Sequence, residues 1–223
     1  MFVLEEIFPG IFEHEDKIFT KNLVPGIKVY GERLLKIGDV EYRQWDFFRS
    51  KLAAAIKNGL SEMPIRHGST VLYLGAAEGT TLSHVSDIIG ETGIAFGVDI
   101  SERVMRKFIG MCEQRKNVMP IVEDARKPWT YKAFLEGRKV DLLFQDVSQP
   151  DQARIFLKNT EYFLEKGSAG MLVVKAKSIS QKSDVGSVFG KELGALTDQF
   201  KIKQVINLKP FEKDHVLALC EKI

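Results

Sequence analysis

From Ser69 onward the chain alternates between short β-rich apolar runs and helix-patterned segments, and few folds accommodate that rhythm. The run "TVLYLGA" precedes "TLSHVSDIIG", "GIAFGVDI" precedes "SERVMRKFIGMCEQR", and "VMPIVED" precedes a short helix around "WTYKAFLEG". Next, "VDLLFQDV" leads to the helix "PDQARIFLKNTEYFLEK", the strand "AGMLVVKAK", a polar stretch and the helix "VFGKELGALTDQF". Strand–helix–strand units of this kind build a parallel sheet with right-handed crossovers. The end of the chain breaks the rhythm. "KQVINLKP" and "HVLALCEKI" are joined by "FEKD", which is too short for a crossover, so this pair must be an antiparallel hairpin.

The segment before the alternation reads differently. "MFVLEEIFPGIFEH", "KIFTKNLVPGIKVYG" and "ERLLKIGDVEYRQW" carry alternating apolar residues broken by Pro9-Gly10, Pro25-Gly26 and Gly38-Asp39, the signature of short strands and turns. Residues 1–48 are therefore expected to form a small antiparallel β domain with Phe8, Phe12, Phe19, Val29 and Tyr30 as core, and residues 49–223 the α/β domain. The alanine-rich "FFRSKLAAAIKNGL" has helical spacing and ends at Asn58-Gly59. Neither a secretory signal nor an apolar run long enough to span a bilayer is present, so no membrane role and a cytoplasmic location are expected. Cys112 and Cys220 form no metal or redox motif and are expected to be packing residues in a reducing compartment. No metal site is expected. A net charge of +2 permits an acidic partner without demanding one, so local basic clusters carry more information than the total.

In an open parallel sheet, ligands lie beyond the carboxyl ends of the strands. The residues there are Gly75, Ala76, Ala77, Glu78, Gly79, Thr80 and Thr81 after the first α/β strand, and Asp99-Ile100 after the second. Asp124-Ala125 follows the third, Asp146, Val147, Ser148 and Gln149 the fourth, and Lys175 and Lys177 the fifth. Gly75 and Gly79 allow tight turns, and the following helix N-terminus favours an anionic group, with Thr80 and Thr81 as hydroxyl donors or caps. Ala77 occupies the place of the second glycine in the dinucleotide pattern, which favours a small carboxylate, such as that of a methionine moiety, over a pyrophosphate. A dinucleotide and a purely structural turn remain alternatives. Asp99 stands at the spacing from which an acid accepts ribose hydroxyls, and Asp124 can accept from an adenine amino group. Asp146 and the lysines emerge from apolar strands, and such charges are costly unless they pair or react. Lys51 and His215 are further candidates, and Arg49, Arg126, Lys127 and Lys182 add basic charge near the strand ends.

A mostly parallel doubly wound sheet closed by an antiparallel hairpin is the layout of the Rossmann-like S-adenosylmethionine (SAM) methyltransferases. Within it, "TKNLVPGIKVYGE", "RSKLAAAI", "LYLGAAEGTTLSHVSDIIG", "QDVSQPDQARIFL" and "EKDHVLAL" resemble the fibrillarin family in its archaeal form, over nearly the whole chain. The resemblance implies a SAM-dependent 2′-O-methyltransferase acting on the ribose of rRNA or tRNA. It implies work within a particle of box C/D guide RNA, a Nop-domain scaffold protein and a kink-turn-binding ribosomal-type protein. It also implies a SAM site from Gly75 to Thr81, at Asp99-Ile100, at Asp124-Ala125 and from Asp146 to Gln149, with a catalytic set at Lys51, Asp146, Lys175 and His215. Three positions depart from the family's pattern: Asp99 replaces a common glutamate, Glu78 a small residue, and Gln145 a frequent acid. Lys175 is the expected base or hydroxyl-orienting group, Asp146 its partner, Lys51 a field-tuning or RNA-contacting group, and His215 a hydrogen-bonding or proton-accepting one. The rivals are a non-catalytic subunit of an RNA–protein particle and an NAD-dependent oxidoreductase.

Overall fold

The computed structural model describes residues 4–223; Met1, Phe2 and Val3, assigned above to the β domain, lie outside the described residues. Five strands, β1 (Glu5–Phe8), β2 (Ile11–His14), β3 (Lys17–Lys21), β4 (Leu34–Ile37) and β5 (Val40–Trp45), form one antiparallel sheet in the order β1-β2-β3-β5-β4. The helix α1 (Lys51–Lys57) follows, capped by Ser50, whose hydroxyl accepts from Ala53 N at 3.3 Å. Its alanines are buried, and their small side chains let α1 press closely against the larger domain.

The second sheet holds β6 (Thr70–Leu74), β7 (Ile94–Asp99), β8 (Val118–Val122), β9 (Val140–Gln145), β10 (Leu164–Lys175), β11 (Phe200–Asn207) and β12 (His215–Lys222). Their order is β11-β12-β10-β9-β6-β7-β8, parallel from β8 to β10 and antiparallel at β12 and β11. The connecting helices are α2 (Thr80–Ile89), α3 (Glu102–Gln114), α4 (Pro128–Tyr131), α5 (Gln152–Phe163), α6 (Ala176–Ile179) and α7 (Val185–Gly194). Strands buried on both faces alternate their side chains between two cores. Val71 and Tyr73 join the core under α1, α2 and the small sheet, whereas Leu72 and Leu74 join the core on the other face with Ile155 and Phe156 of α5. The fold class expected from the strand–helix rhythm and the final hairpin is the one observed.

Two local readings differ. β10 starts directly at the end of α5, five residues before the run of apolar residues that announces it. The chain also turns into α6 at Ala176 instead of extending the strand, so Lys177 sits on that helix. Both cysteines are buried and free, and burial pushes each thiol up to about 12.

The small sheet is fastened to α2 and α3 by more than apolar contact. Ile11, Ile18 and Trp45 share the larger domain's core. Beside them the wholly buried Arg43 pairs with Glu32 at 2.6 Å and Asp87 at 2.9 Å, and Asp87 also takes Arg115 at 2.6 Å. His84 stacks on Trp45 with ring centroids 4.7 Å apart. The strand order changes direction between β6 and β9: successive strands run outward from β6 toward β8 on one side and from β9 toward β10 on the other. The carboxyl ends of β6 and β9 therefore flank the crevice where an open sheet binds its ligand.

Candidate active site

At that crevice the main chains of two loops touch. Asp146 N donates to Leu74 O at 2.9 Å, and Gly75 (φ +86°) turns so closely past Asp146 that a Cβ there would lie 2.7 Å from the Asp146 carbonyl oxygen. Gly75 N and Ala76 N both donate to Val98 O, and Ala77 N donates to Asp99 Oδ2 at 2.9 Å. The other oxygen of Asp99 accepts from Ser101 N at 2.9 Å, so this carboxylate ties together the loops after β6 and β7. After β8, Asp124 Oδ1 accepts from Arg126 N at 2.9 Å.

These loops enclose a cleft of about 380 Å³ walled by Gly75, Ala77, Asp99, Ile100, Glu123, Asp124, Ala125, Val147, Ser148 and Gln149, with Lys51, Asp146 and Lys175 at one end. Volume alone does not select it. A hollow of about 690 Å³ lies between Leu135–Lys139 and Glu161–Glu165, but it opens at the amino ends of β9 and β10, away from the ligand-binding edge of a parallel sheet.

Beyond the cleft's end the charged side chains form one chain of contacts. Lys175 Nζ donates to Asp146 O at 2.8 Å and Ser148 Oγ at 3.0 Å, and lies 2.7 Å from Asp146 Oδ1. Lys51 Nζ lies 3.1 Å from Asp146 Oδ2 and 3.4 Å from Glu212 Oε1. Glu212 Oε2 in turn faces His215 Nδ1 at 3.3 Å. Secondary structure sets these positions: Lys51 opens α1, Lys175 ends β10, and His215 opens β12 directly opposite Lys175 in the antiparallel register.

Two ammonium groups alternate with two carboxylates, which is what permits charges at 10–31% side-chain exposure. Burial works against the charge on Lys51, but Asp146 and Glu212 outweigh it and its pKa lies above the ordinary lysine value. Burial lowers the pKa of His215, Glu212 opposes this, and Lys51 and Lys175 add to the lowering; the net shift is downward. His215 is thus a neutral imidazole at neutral pH, able to accept a proton, beside two cations that can orient a hydroxyl oxygen.

The fibrillarin family model matches residues 3–223. The chain is 49% identical over 220 residues to the fibrillarin-like rRNA/tRNA 2′-O-methyltransferase of Thermococcus onnurineus, covering 96% of each. The chain belongs to the fibrillarin family. Among solved structures, fibrillarin of Aeropyrum pernix with natively bound S-adenosyl-L-methionine superposes with a TM-score of 0.88 at 41% identity, covering 99% of this chain and all of that one. The fibrillarin of a fibrillarin/Nop5p complex gives 0.90 at 35% identity, covering 98% and 100%.

In this fibrillarin-family chain, the structure gathers Lys51, Asp146, Lys175 and His215 into a single network, and Gly75, Asp99, Ile100, Asp124, Ala125, Asp146, Val147, Ser148 and Gln149 into the cleft wall. It does not bring Ala76, Gly79, Thr80 or Thr81 to that wall. Ala76 is buried in the core, and Thr81 turns inward and donates to Ser50 Oγ at 3.0 Å. Thr80 borders a separate hollow with Tyr30, Arg49 and Lys107. Gly79 (φ +85°) is small because Phe108 and Met111 of α3 press on it, a Cβ there lying 2.6 Å and 2.9 Å from them. Arg126 is engaged by Asp151 through its Nε and Nη2 groups, so it is not a free cation for a phosphate. Two further acids belong to the site without standing out in the sequence: Glu123, the neighbour of Asp124, lines the cleft, and Glu212, three positions before His215, joins the charge network.

Proposed function

We propose that this protein transfers a methyl group from S-adenosylmethionine to ribose 2′-hydroxyls of rRNA, and of tRNA, within a box C/D guide-RNA ribonucleoprotein. The observation that carries this reading is the acid-lined cleft running into the Lys51–Asp146–Lys175 cluster, in a family whose Aeropyrum pernix member binds SAM natively. The donor set fits that cofactor. Asp99 and Asp124 offer carboxylate oxygens to ribose hydroxyls and an amino group, and Ile100, Ala125 and Val147 offer apolar faces to a purine. The side-chain amide oxygen of Gln149, in the same wall, is buried without a hydrogen-bond partner, an acceptor suited to a ligand N–H. When bound, the cofactor supplies an electrophilic methyl group on a sulfonium that leaves as a neutral thioether.

The chain itself aligns the hydroxyl and deals with its proton. Lys175 Nζ donates to Asp146 O and Ser148 Oγ, which fixes it at the end of the cleft and leaves a further N–H to orient the ribose oxygen. Asp146 holds Lys175 and Lys51 at fixed separation through its two oxygens, and Lys51 remains charged. His215, the neutral base of the cluster, takes up the proton.

A Nop-domain scaffold, like the Nop5p of the fibrillarin/Nop5p complex, and a kink-turn-binding ribosomal-type protein complete the particle. Guide pairing selects the nucleotide, while this chain contributes non-specific phosphate contacts from exposed groups such as Arg49, Lys177 and Lys182. The test is reconstitution with scaffold, kink-turn protein and guide RNA, followed by mapping of 2′-O-methyl groups. Methylation at the guide-paired nucleotide, dependent on SAM and guide, is the expected result. No methylation by the assembled particle, or equal methylation by the chain without guide, would overturn the proposal.

A further inference from the structure

Glu212 is the one member of the charge network that the catalytic assignment leaves without a task. It lies in the turn between β11 and β12, with Glu212 N bonded to Leu208 O at 3.0 Å, and its side chain is about one-third exposed. One carboxylate oxygen faces Lys51 at 3.4 Å and the other faces His215 Nδ1 at 3.3 Å. That nitrogen is buried and has no well-aligned hydrogen bond, and among the described residues Glu212 is the carboxylate it pairs with. A carboxylate on one nitrogen of an imidazole fixes which nitrogen carries the hydrogen and leaves the other as the acceptor.

We propose that Glu212 is a positioning residue of the methyl-transfer site: it holds His215 with Nδ1–H toward Oε2, so that Nε2 is the atom that accepts the 2′-hydroxyl proton. This rests on the 2′-O-methyltransferase reading above. The ribose O–H bond breaks and an N–H bond forms at Nε2. The ribose oxygen forms its bond to the methyl carbon as the carbon–sulfur bond breaks, so one positive charge passes from sulfonium to imidazolium. Glu212 faces that imidazolium and compensates its charge, and the proton then leaves Nε2 for solvent. The remaining charged groups around the ring act in both directions: Lys51 from α1 and Lys175 from β10 disfavour the imidazolium, and Asp146 after β9 favours it. Asp214, its chain neighbour, bonds through its main-chain oxygen to Ala176 N. Without Glu212 the two lysines prevail.

The test pairs two readouts on the wild type, Glu212→Gln, Glu212→Ala and Glu212→Asp. The first is the ring-nitrogen NMR spectrum of His215 in the free protein, which needs no activity. The wild type should show a protonated Nδ1 and an unprotonated Nε2, and Glu212→Ala a mixture of tautomers. The second is single-turnover methylation in the reconstituted particle as a function of pH. Glu212→Gln and Glu212→Ala should lose about 10–100-fold in rate with SAM affinity within about threefold, and their acid limb should move to lower pH because the group favouring the imidazolium is gone. Glu212→Asp should recover part of the rate. A wild-type ring protonated at Nε2 overturns the proposal. So does a Glu212→Gln rate and acid limb matching the wild type, which would mark Glu212 as a packing partner of Lys51 alone. A wild-type particle that does not methylate at all overturns the enzymatic reading instead, and the tautomer measurement still decides the role of Glu212.

Discussion

Replacing Gly75 with alanine tests whether the cleft loop and the catalytic cluster are mechanically one unit. At φ +86° an L side chain costs about 1–2 kcal/mol of backbone energy. The added methyl would also sit 2.7 Å from Asp146 O, 2.9 Å from Asp146 C and 3.1 Å from Val147 N, all main-chain atoms that cannot rotate aside. Relief requires the Asp146 main chain to retreat by roughly half an ångström, which carries the 2.7 Å contact into the 3.0–3.4 Å range, tight but tolerated for a Cβ. Overpacking of this kind costs a further ~1–3 kcal/mol. The oxygen that must retreat is the one that accepts from Lys175 Nζ at 2.8 Å, so the displacement passes directly to the lysine proposed to orient the ribose oxygen. With a misplacement of about 1 Å worth about 100-fold in rate, half that distance predicts roughly a tenfold loss in single-turnover methylation. Urea unfolding should show Gly75→Ala destabilised by about 2–5 kcal/mol. The control is Gly110→Ala: this residue is inside α3, a methyl group added there would meet no atom within 4 Å, and the variant should gain about 0.5–1 kcal/mol with unchanged transfer. Wild-type stability and rate in Gly75→Ala would refute the claim that loop and cluster are coupled.

Three further outcomes follow from the same geometry. Lys175→Ala should reduce methyl transfer by about 10²–10³-fold while calorimetry finds SAM affinity within a few-fold, because the amine contacts Asp146 and Ser148 at the cleft's end and not the acids after β7 and β8. Asp87→Ala strands Arg43 and Arg115, both buried, without their shared carboxylate; it should cost about 3–5 kcal/mol and lower Tm by about 6–20 °C in a scanning calorimeter. His84 is fully buried, and burial with Arg43 and Arg115 nearby drives its pKa well below the ordinary value of 6.5. The unfolded chain therefore binds a proton that the native state refuses as pH falls below that value, and stability declines toward acid by up to about 1.4 kcal/mol per pH unit from this residue. Urea midpoints at about pH 7.5 and about pH 5.5 should differ less for His84→Gln than for the wild type, and an equal difference would show that His84 does titrate in the native state.

The fold was legible because strand direction is written into connection length: helical crossovers force parallel pairing, and a link too short for a crossover, the seven residues from Leu208 to Asp214 in the structure, forces a hairpin. That in turn told which end of each strand could face a ligand, and so made Asp99, Asp124, Asp146 and Lys175 readable without coordinates. What could not be read was which atoms of those loops face the cleft and which face other protein. Gly79 and Thr81 sit in a glycine-and-threonine loop that suits an anion, yet Gly79 is small for Phe108 and Thr81 serves Ser50, contacts set by how α3 and α1 lie across α2. Glu212 is the instructive miss. An acid in a surface turn is most simply a solvated one, and its distance from Lys51 depends on how two remote segments converge. Charge counting supplies the missing step. Two lysines at a partly buried rim, Lys51 and Lys175, set two positive charges against the single negative charge of Asp146. A second carboxylate is required on electrostatic grounds, and among the residues flanking His215 the acid three positions before it is the one whose side chain reaches both the imidazole and Lys51.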